Sequence, residues 1–302
     1  MTCAGCCGRM MQQYGQKGIC MIRLIATDLD NTLLNKDGKV PPETVAALAK
    51  AEEKGVVVTV ATGRSFASAR GVAEMIGGNG LAICYNGSQI RRLADGMVLY
   101  SGCVDKDVQR GIIEFVHARG LYLQMYDRDE IVVEKLRLDK HNDPDLHFAS
   151  HREVGDFLKD PLFDTPKMMI AADPKEVPAL QAELEEMYAG RIFCAQSEPH
   201  LIEIMPAAVN KGTALVALCQ ELGIRRDEVM ALGDNTNDMH LLQAAGLAVA
   251  VGNAVPALKE YADYVCEGER SDGFREALDK FVLAPDAEMA LAEWENRVAP
   301  RM

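Results

Sequence analysis

The chain has 302 residues, 48% hydrophobic and 25% charged, the balance of an ordinary globular protein. That length exceeds what one compact core usually organises, so two domains are expected. A formal net charge of −13 argues against nucleic acid or an anionic membrane as partner. No apolar stretch approaches the roughly 20 residues a membrane helix requires.

Residues 1–20 lack the uninterrupted apolar run of a signal peptide. They precede the natural start of the fold at Met21-Ile22-Arg23-Leu24, and are expected to be a disordered extension or the product of a start codon placed too early. Cys3-Ala4-Gly5-Cys6-Cys7 lies there, but a structural metal site needs four ligands and no second paired cluster follows. The nine cysteines are odd in number and several, such as Cys84, sit in apolar runs. They fit small buried hydrophobes in a reducing cytoplasm rather than a disulfide framework.

The first strand is expected in Ile25-Ala26-Thr27-Asp28-Leu29-Asp30, followed by Asn31-Thr32-Leu33-Leu34. Residues i and i+2 of a strand project to one side, so Asp28 and Asp30 can lean over one spot at its end. Two crowded carboxylates are stable only with a cation or a shared proton between them. That suits a metal site with one nucleophilic and one proton-transfer carboxylate. An Asp-rich turn after a strand is the alternative.

A helix from Pro41 to Lys54 follows, with proline in its first turn and Gly55 after its end. The β-branched run 56–61 predicts a strand buried on both faces. It ends at Thr62-Gly63-Arg64-Ser65, where a hydroxyl, a glycine and a cation open a helix over 65–76. Helix N-termini present free N–H groups that bind phosphate readily. Next come a strand at 81–85 and a hairpin of Gln89–Leu93 with Met97–Tyr100.

A helix then runs from Asp105 to Arg119, ended by Gly120, before strands at 121–126 and 130–135. Residues 137–165 are polar and irregular and receive no assignment. A strand at 167–172, a helix at 175–189 and strands at 191–195 and 200–205 complete this stretch. Helix 211–222 opens at Asn210-Lys211-Gly212, and strand 229–233 runs into Gly233-Asp234-Asn235-Thr236-Asn237-Asp238. Helix 236–245, strand 247–251, helix 255–261, strand 263–265 and helix 272–282 close the pattern. From Ala284 a tail mixes apolar and acidic residues, as a loosely docked or solvated helix would. Strand–helix alternation implies a parallel sheet with right-handed crossovers. Ligands of open α/β sheets sit beyond the strands' carboxyl ends, where this chain carries Asp-x-Asp, Thr, Lys and Asp-x-x-x-Asp.

In the order and spacing of those four motifs, across residues 21–283, the chain resembles the haloacid dehalogenase (HAD) superfamily phosphatases of the Cof-type branch. Asp28-Leu29-Asp30-Asn31-Thr32 matches the first motif, Thr62-Gly63-Arg64 the second, Lys211 the third, and Gly233-Asp234 through Asn237-Asp238 the fourth. One departure is Asn31, where that family usually has glycine; asparagine tolerates a left-handed backbone best among the other residues.

The resemblance implies an α/β fold: a Rossmann-like core with a parallel sheet, plus an inserted α/β cap domain. Core residues would be 21–102 and 207–283, the cap 103–206 and the tail 284–302. It implies a Mg²⁺-dependent phosphatase for small phosphorylated metabolites, sugar phosphates first. Asp28 would be the nucleophile, forming an aspartyl-phosphate, and Asp30 the acid and base, with its backbone carbonyl on the metal. Asp28, Asp30 and Asp234 would hold the ion, and carboxylate, carbonyl and water ligands favour Mg²⁺. Asp238 would support these ligands or Lys211. Thr62, Gly63 and Lys211 would bind the phosphoryl group, with Arg64, Asn86 and Asn237 as weaker pocket candidates. Tyr122, His141, Asn142, His147, His151 and His200 are cap positions able to touch substrate, but each reads more readily as an ordinary surface or core residue and none is assigned a contact. A phosphosugar mutase and a non-enzymatic phosphate sensor are the other readings; an intact nucleophile argues against the sensor.

Overall fold

The structure is a computed structural model that describes residues 21–77, 80–137, 150–159, 162–196, 198–287 and 289–291. The expectations for residues 1–20 and for His141, Asn142 and His147 lie outside the described residues. In chain order the strands are Leu24–Thr27 (β1), Val57–Ala61 (β2), Leu81–Cys84 (β3), Gln89–Arg92 (β4), Val98–Ser101 (β5), Tyr122–Asp127 (β6), Glu130–Val133 (β7), Ser150–Glu153 (β8), Met168–Ala171 (β9), Ile192–Ala195 (β10), Leu201–Pro206 (β11), Val229–Gly233 (β12), Leu247–Ala250 (β13) and Tyr264–Val265 (β14). Helices alternate with them. They are Pro42–Glu53 (α1), Phe66–Met75 (α2), Lys106–Arg119 (α3), Val177–Met187 (α4), Lys211–Leu222 (α5), Met239–Ala244 (α6), Pro256–Tyr261 (α7) and Arg270–Leu278 (α8).

Eight strands form one sheet in the order β14-β13-β12-β1-β2-β3-β4-β5, parallel from β14 to β3 and antiparallel beyond. The chain leaves β1 toward β2 and β3 on one side and later adds β12, β13 and β14 on the other. That reversal at β1 opens a crevice at its carboxyl end, where open α/β sheets bind ligands. Strand periodicity explains why both faces are apolar. Leu24 and Ala26 join a cluster with Leu215, Leu218 and Leu241 of α5 and α6. Ile25, with Met230 and Leu232 of β12, joins the opposite cluster with Leu48 of α1 and Phe274 of α8.

The other six strands form a second sheet, β10-β11-β9-β6-β7-β8, antiparallel except between β7 and β8. Ile112 and Val116 of α3, Leu184 of α4, and Met125, Met168, Ile170, Ile202 and Ile204 of the sheet share one cluster. Tyr126, Met169 and Leu201, on alternate strand positions, instead join the core cluster below β1 and β12. One face of this sheet thus carries its helices and the other turns toward the core.

Most elements lie within two or three residues of their expected bounds, and three differ. Ser150–Glu153 forms β8 inside the stretch left unassigned. The expected helix at 236–245 begins as a single tight turn over Thr236–Asp238 before α6. The last expected helix starts two residues earlier, at Arg270, and ends in a wider turn over Asp279–Leu283. Asn31 has φ 59°, the left-handed backbone its residue type was expected to tolerate. Among the described cysteines all five are free thiols, and four are buried. No helix among the described residues is long and apolar enough to cross a membrane.

Candidate active site

Asp28 follows β1 directly, and its amide donates to the Leu232 carbonyl of β12 at 3.0 Å. The chain then tightens over Leu29–Leu33, with Asn31 left-handed. This turn carries Thr32 back under the sheet, where its hydroxyl donates to Oδ1 of Asp234 at 3.0 Å. Asp28 and Asp234, more than two hundred residues apart, are both buried at the ends of adjacent strands.

Lys211 opens α5, after the Asn210 side chain caps the helix by accepting from the Thr213 amide at 2.9 Å. A lysine at a helix N-terminus opposes the macrodipole, so it needs other compensation. It has that: its Nζ donates to Oδ1 of Asp28 and to Oδ1 of Asp238, each at 2.7 Å, and its side chain is wholly buried. Asp238 spends its second oxygen on the amides of Asp234 and Asn235, at 3.0 and 3.1 Å. The carboxylate reaches there because position 233 is glycine; a Cβ on Gly233 would stand 2.5 Å from that of Asp238.

Thr62 and Gly63 follow β2 beside this cluster. The Thr62 hydroxyl accepts from the Arg64 amide at 3.2 Å, and the Thr62 carbonyl from the Asn86 amide at 3.0 Å. Arg64 grips Asp30 with two donors, Nε to Oδ2 at 2.7 Å and Nη2 to Oδ1 at 2.5 Å. The half-exposed Asp30 carboxylate is thus held by Arg64 in the wall of the same cavity. Asn86 is buried and accepts from Asn237 Nδ2 at 3.3 Å, so two of the three weaker pocket candidates meet. A cavity of about 350 Å³ joins these groups, with Asp28, Thr62, Arg64 and Asp234 in its wall. Leu34 is its one large apolar lining residue among those described.

Residues 25–278 match the family of haloacid dehalogenase-like hydrolases. The chain belongs to this family. It is similar to proteins named HMP-PP phosphatase from Serratia proteamaculans, 32% identical over 240 residues, covering 79% of this chain and 87% of that one. A protein of the same name from Yersinia pseudotuberculosis is 32% identical over 249 residues, covering 80% and 87%. A haloacid dehalogenase-like hydrolase from Bacteroides thetaiotaomicron superposes with a TM-score of 0.77 at 29% identity, covering 86% of this chain and 99% of that one. A Thermotoga maritima structure gives 0.74 at 26% identity, covering 86% and 97%.

The electrostatics of this HAD site are unbalanced. Oxygens of Asp28, Asp234 and Asp238 all lie within 4.8 Å of one another. Lys211 bonds two of these three carboxylates, Asp28 and Asp238, which leaves two more formal negative charges than positive in the cluster. Burial holds the Asp28 carboxyl well above the ordinary carboxylate range; Lys211 opposes that, and Asp238, Asp30 and Asp234 reinforce it. Burial and Asp238 push Asp234 up to about 6, against the Thr32 hydrogen bond. For Lys211, burial disfavours the charge, but Asp238 and Asp28 outweigh it and hold the ammonium above its usual range. An all-oxygen set with two surplus negative charges suits a hard divalent cation.

The six-stranded sheet contributes to the cavity wall through other residues than those named from sequence. Tyr122, His151 and His200 are absent from the cavity wall, which is lined from that side by Lys167, Glu198 and Glu203. Sequence reasoning missed Lys167 and Glu203. The signal for Glu203 was a lone carboxylate inside the apolar strand Leu201-Ile202-Glu203-Ile204-Met205, since a buried charge requires a partner.

Proposed function

We propose that this hydrolase is a Mg²⁺-dependent cytoplasmic phosphatase of small phosphorylated metabolites. The observation that carries the reading is the trio of buried carboxylates around Lys211, short of cationic charge by two. Relatives named HMP-PP phosphatase support a phosphatase acting on a small phosphorylated molecule. A cavity of about 350 Å³ with a polar wall suits a small, polar leaving group, and sugar phosphates remain the first class to try.

Asp28 and Asp234 would hold the ion with the Asp30 carbonyl, and Asp238 would orient Lys211 rather than bind metal itself. When bound, Mg²⁺ would neutralise charge on the phosphoryl oxygens. Thr62 and the Gly63 amide bind those oxygens, and Lys211 offsets the charge of the nucleophile. Asp28 attacks phosphorus through one carboxylate oxygen, forming an acyl phosphate as the ester P–O bond breaks. Asp30 gives its proton to the departing oxygen. It then takes a proton from a water whose oxygen attacks phosphorus, and the Asp28–phosphorus bond breaks to release inorganic phosphate. Asp30 must leave Arg64 to do so; at 52% side-chain exposure the carboxylate stands in the open cavity, where that exchange is inexpensive.

The test is hydrolysis of p-nitrophenyl phosphate and of a panel of phosphorylated sugars and other metabolites, with Mg²⁺ or with chelator. Turnover that requires Mg²⁺ is expected. Equal rates in chelator, or no hydrolysis of any ester, would contradict the assignment.

A further inference from the structure

Lys167 and Glu203 form an ion pair at 3.0 Å, with side chains 1% and 5% exposed. Glu203 lies in β11 opposite Met169 of β9, and Lys167 stands just before β9. From this pair two bonds cross to the core. Lys167 Nζ donates to the Gly63 carbonyl at 3.2 Å, and Asn86 Nδ2 donates to Glu203 Oε2 at 2.6 Å. Asn86 in turn accepts from Asn237, one residue before Asp238. The Lys167 ammonium also lies 4.8 Å from the Tyr126 ring centre, and Tyr126 packs edge-on against Tyr85.

What these bonds hold is unusual backbone. Tyr85, Asn86 and Gly87 have φ of 52°, 53° and 101°, three left-handed residues in succession. Such conformations persist only where the surroundings over-determine them. Gly87 is pressed against α5, with an added Cβ only 2.2 Å from the Asn210 carbonyl oxygen. Asn86 lies over Gly63, whose added Cβ would be 3.0 Å from Asn86 Oδ1. A buried ion pair is not needed for stability as such, since neutral replacements of similar volume are often harmless. The charges therefore matter for the two groups they hold, one on each side of the loop.

We propose that Lys167 and Glu203 are positioning residues for phosphoryl binding, fixing the Gly63 peptide and the Asn86 amide from the six-stranded sheet. The proposal rests on the reading of Thr62 and Gly63 as phosphate binders. Phosphate affinity then depends on two side chains that line the cavity and act through the Gly63 peptide and the Asn86 amide they hold. The pair makes the loop competent only while that sheet is docked on the core.

The experiment is calorimetric titration of inorganic phosphate, in excess Mg²⁺, into wild type and the double variant Lys167→Met/Glu203→Gln, beside kinetics with p-nitrophenyl phosphate. The double variant removes both charges with little change in volume. Its phosphate affinity is expected to fall by roughly tenfold or more, with KM raised in parallel, kcat less affected and Tm nearly unchanged. Asn86→Gly, which keeps the left-handed turn, is expected to lose affinity similarly. Lys167→Arg, which retains the donor, is expected to bind more tightly than Lys167→Met. Wild-type affinity in either the double variant or Asn86→Gly would overturn the proposal, as would a wild type that binds no phosphate. A wild type that binds phosphate yet hydrolyses no ester would defeat the phosphatase reading and leave the positioning role standing.

Discussion

Lys211 and Lys167 are both almost completely buried, and each bonds to carboxylate. Lys167 has Glu203, charge against charge, with the remaining oxygen of Glu203 bonded to Asn86. Lys211 has two bonded carboxylates and a third within 4.8 Å of both. A carboxylate matched by an ammonium holds what lies around it, whereas three clustered carboxylates beside one ammonium retain a need for more cation.

The comparison breaks most visibly at the proposed nucleophile. Asp28→Asn would remove one surplus charge and the oxygen proposed to attack, so kcat for p-nitrophenyl phosphate should fall by about a thousandfold or more while circular dichroism is unchanged. Retained turnover would remove Asp28 from the chemistry. The next effect is on stability. Lys211→Met strands carboxylates with no ammonium, and breaking a buried pair costs about 3–5 kcal/mol. Thermal unfolding in chelator should move down by roughly 10 °C, more than for Lys167→Met, where Glu203 keeps its bond from Asn86.

The surplus also predicts a pH dependence. The Asp234 carboxyl, raised to about 6, holds its proton more tightly in the folded protein than in the unfolded chain, which titrates near pH 4. Its contribution to metal-free stability is thus full below about pH 4 and lost as pH rises through 6, on the order of 3 kcal/mol. Asp234→Asn should flatten the fall of Tm between those pH values; identical slopes would show that Asp234 carries no such burden. The smallest effect belongs to Arg64 and Asp30, whose side chains are 22% and 52% exposed. Arg64→Ala should alter stability by about 1 kcal/mol or less, as exposed ion pairs do, and a larger change in denaturant midpoint would mean the pair is structural.

The core was legible because its signals are local. Short continuous apolar runs, each ended by a polar motif, located β1, β2 and β12, and the asparagine at 31 anticipated a left-handed turn. Parallel order followed from the alternation, and convergence of Asp28, Lys211, Asp234 and Asp238 followed from parallel order. What stayed hidden depends on contacts between distant segments. Ser150–Glu153 is an exposed edge strand without apolar period, tied through Arg152 to Asp127 and Glu130. Arg64 showed no sign in sequence that its partner would be Asp30. Glu203 did announce itself as a charge in an apolar strand, but nothing local said that Asn86 and Lys167 would meet it.

If a divalent ion completes the acids around Lys211, calorimetric titration of Mg²⁺ into metal-stripped wild type and Asp234→Asn will show it. One ion should bind per wild-type chain, more weakly below about pH 6 where Asp234 holds a proton, and binding should be largely lost in the variant. Equal Mg²⁺ binding by both proteins, or none by wild type, would contradict a divalent ion there.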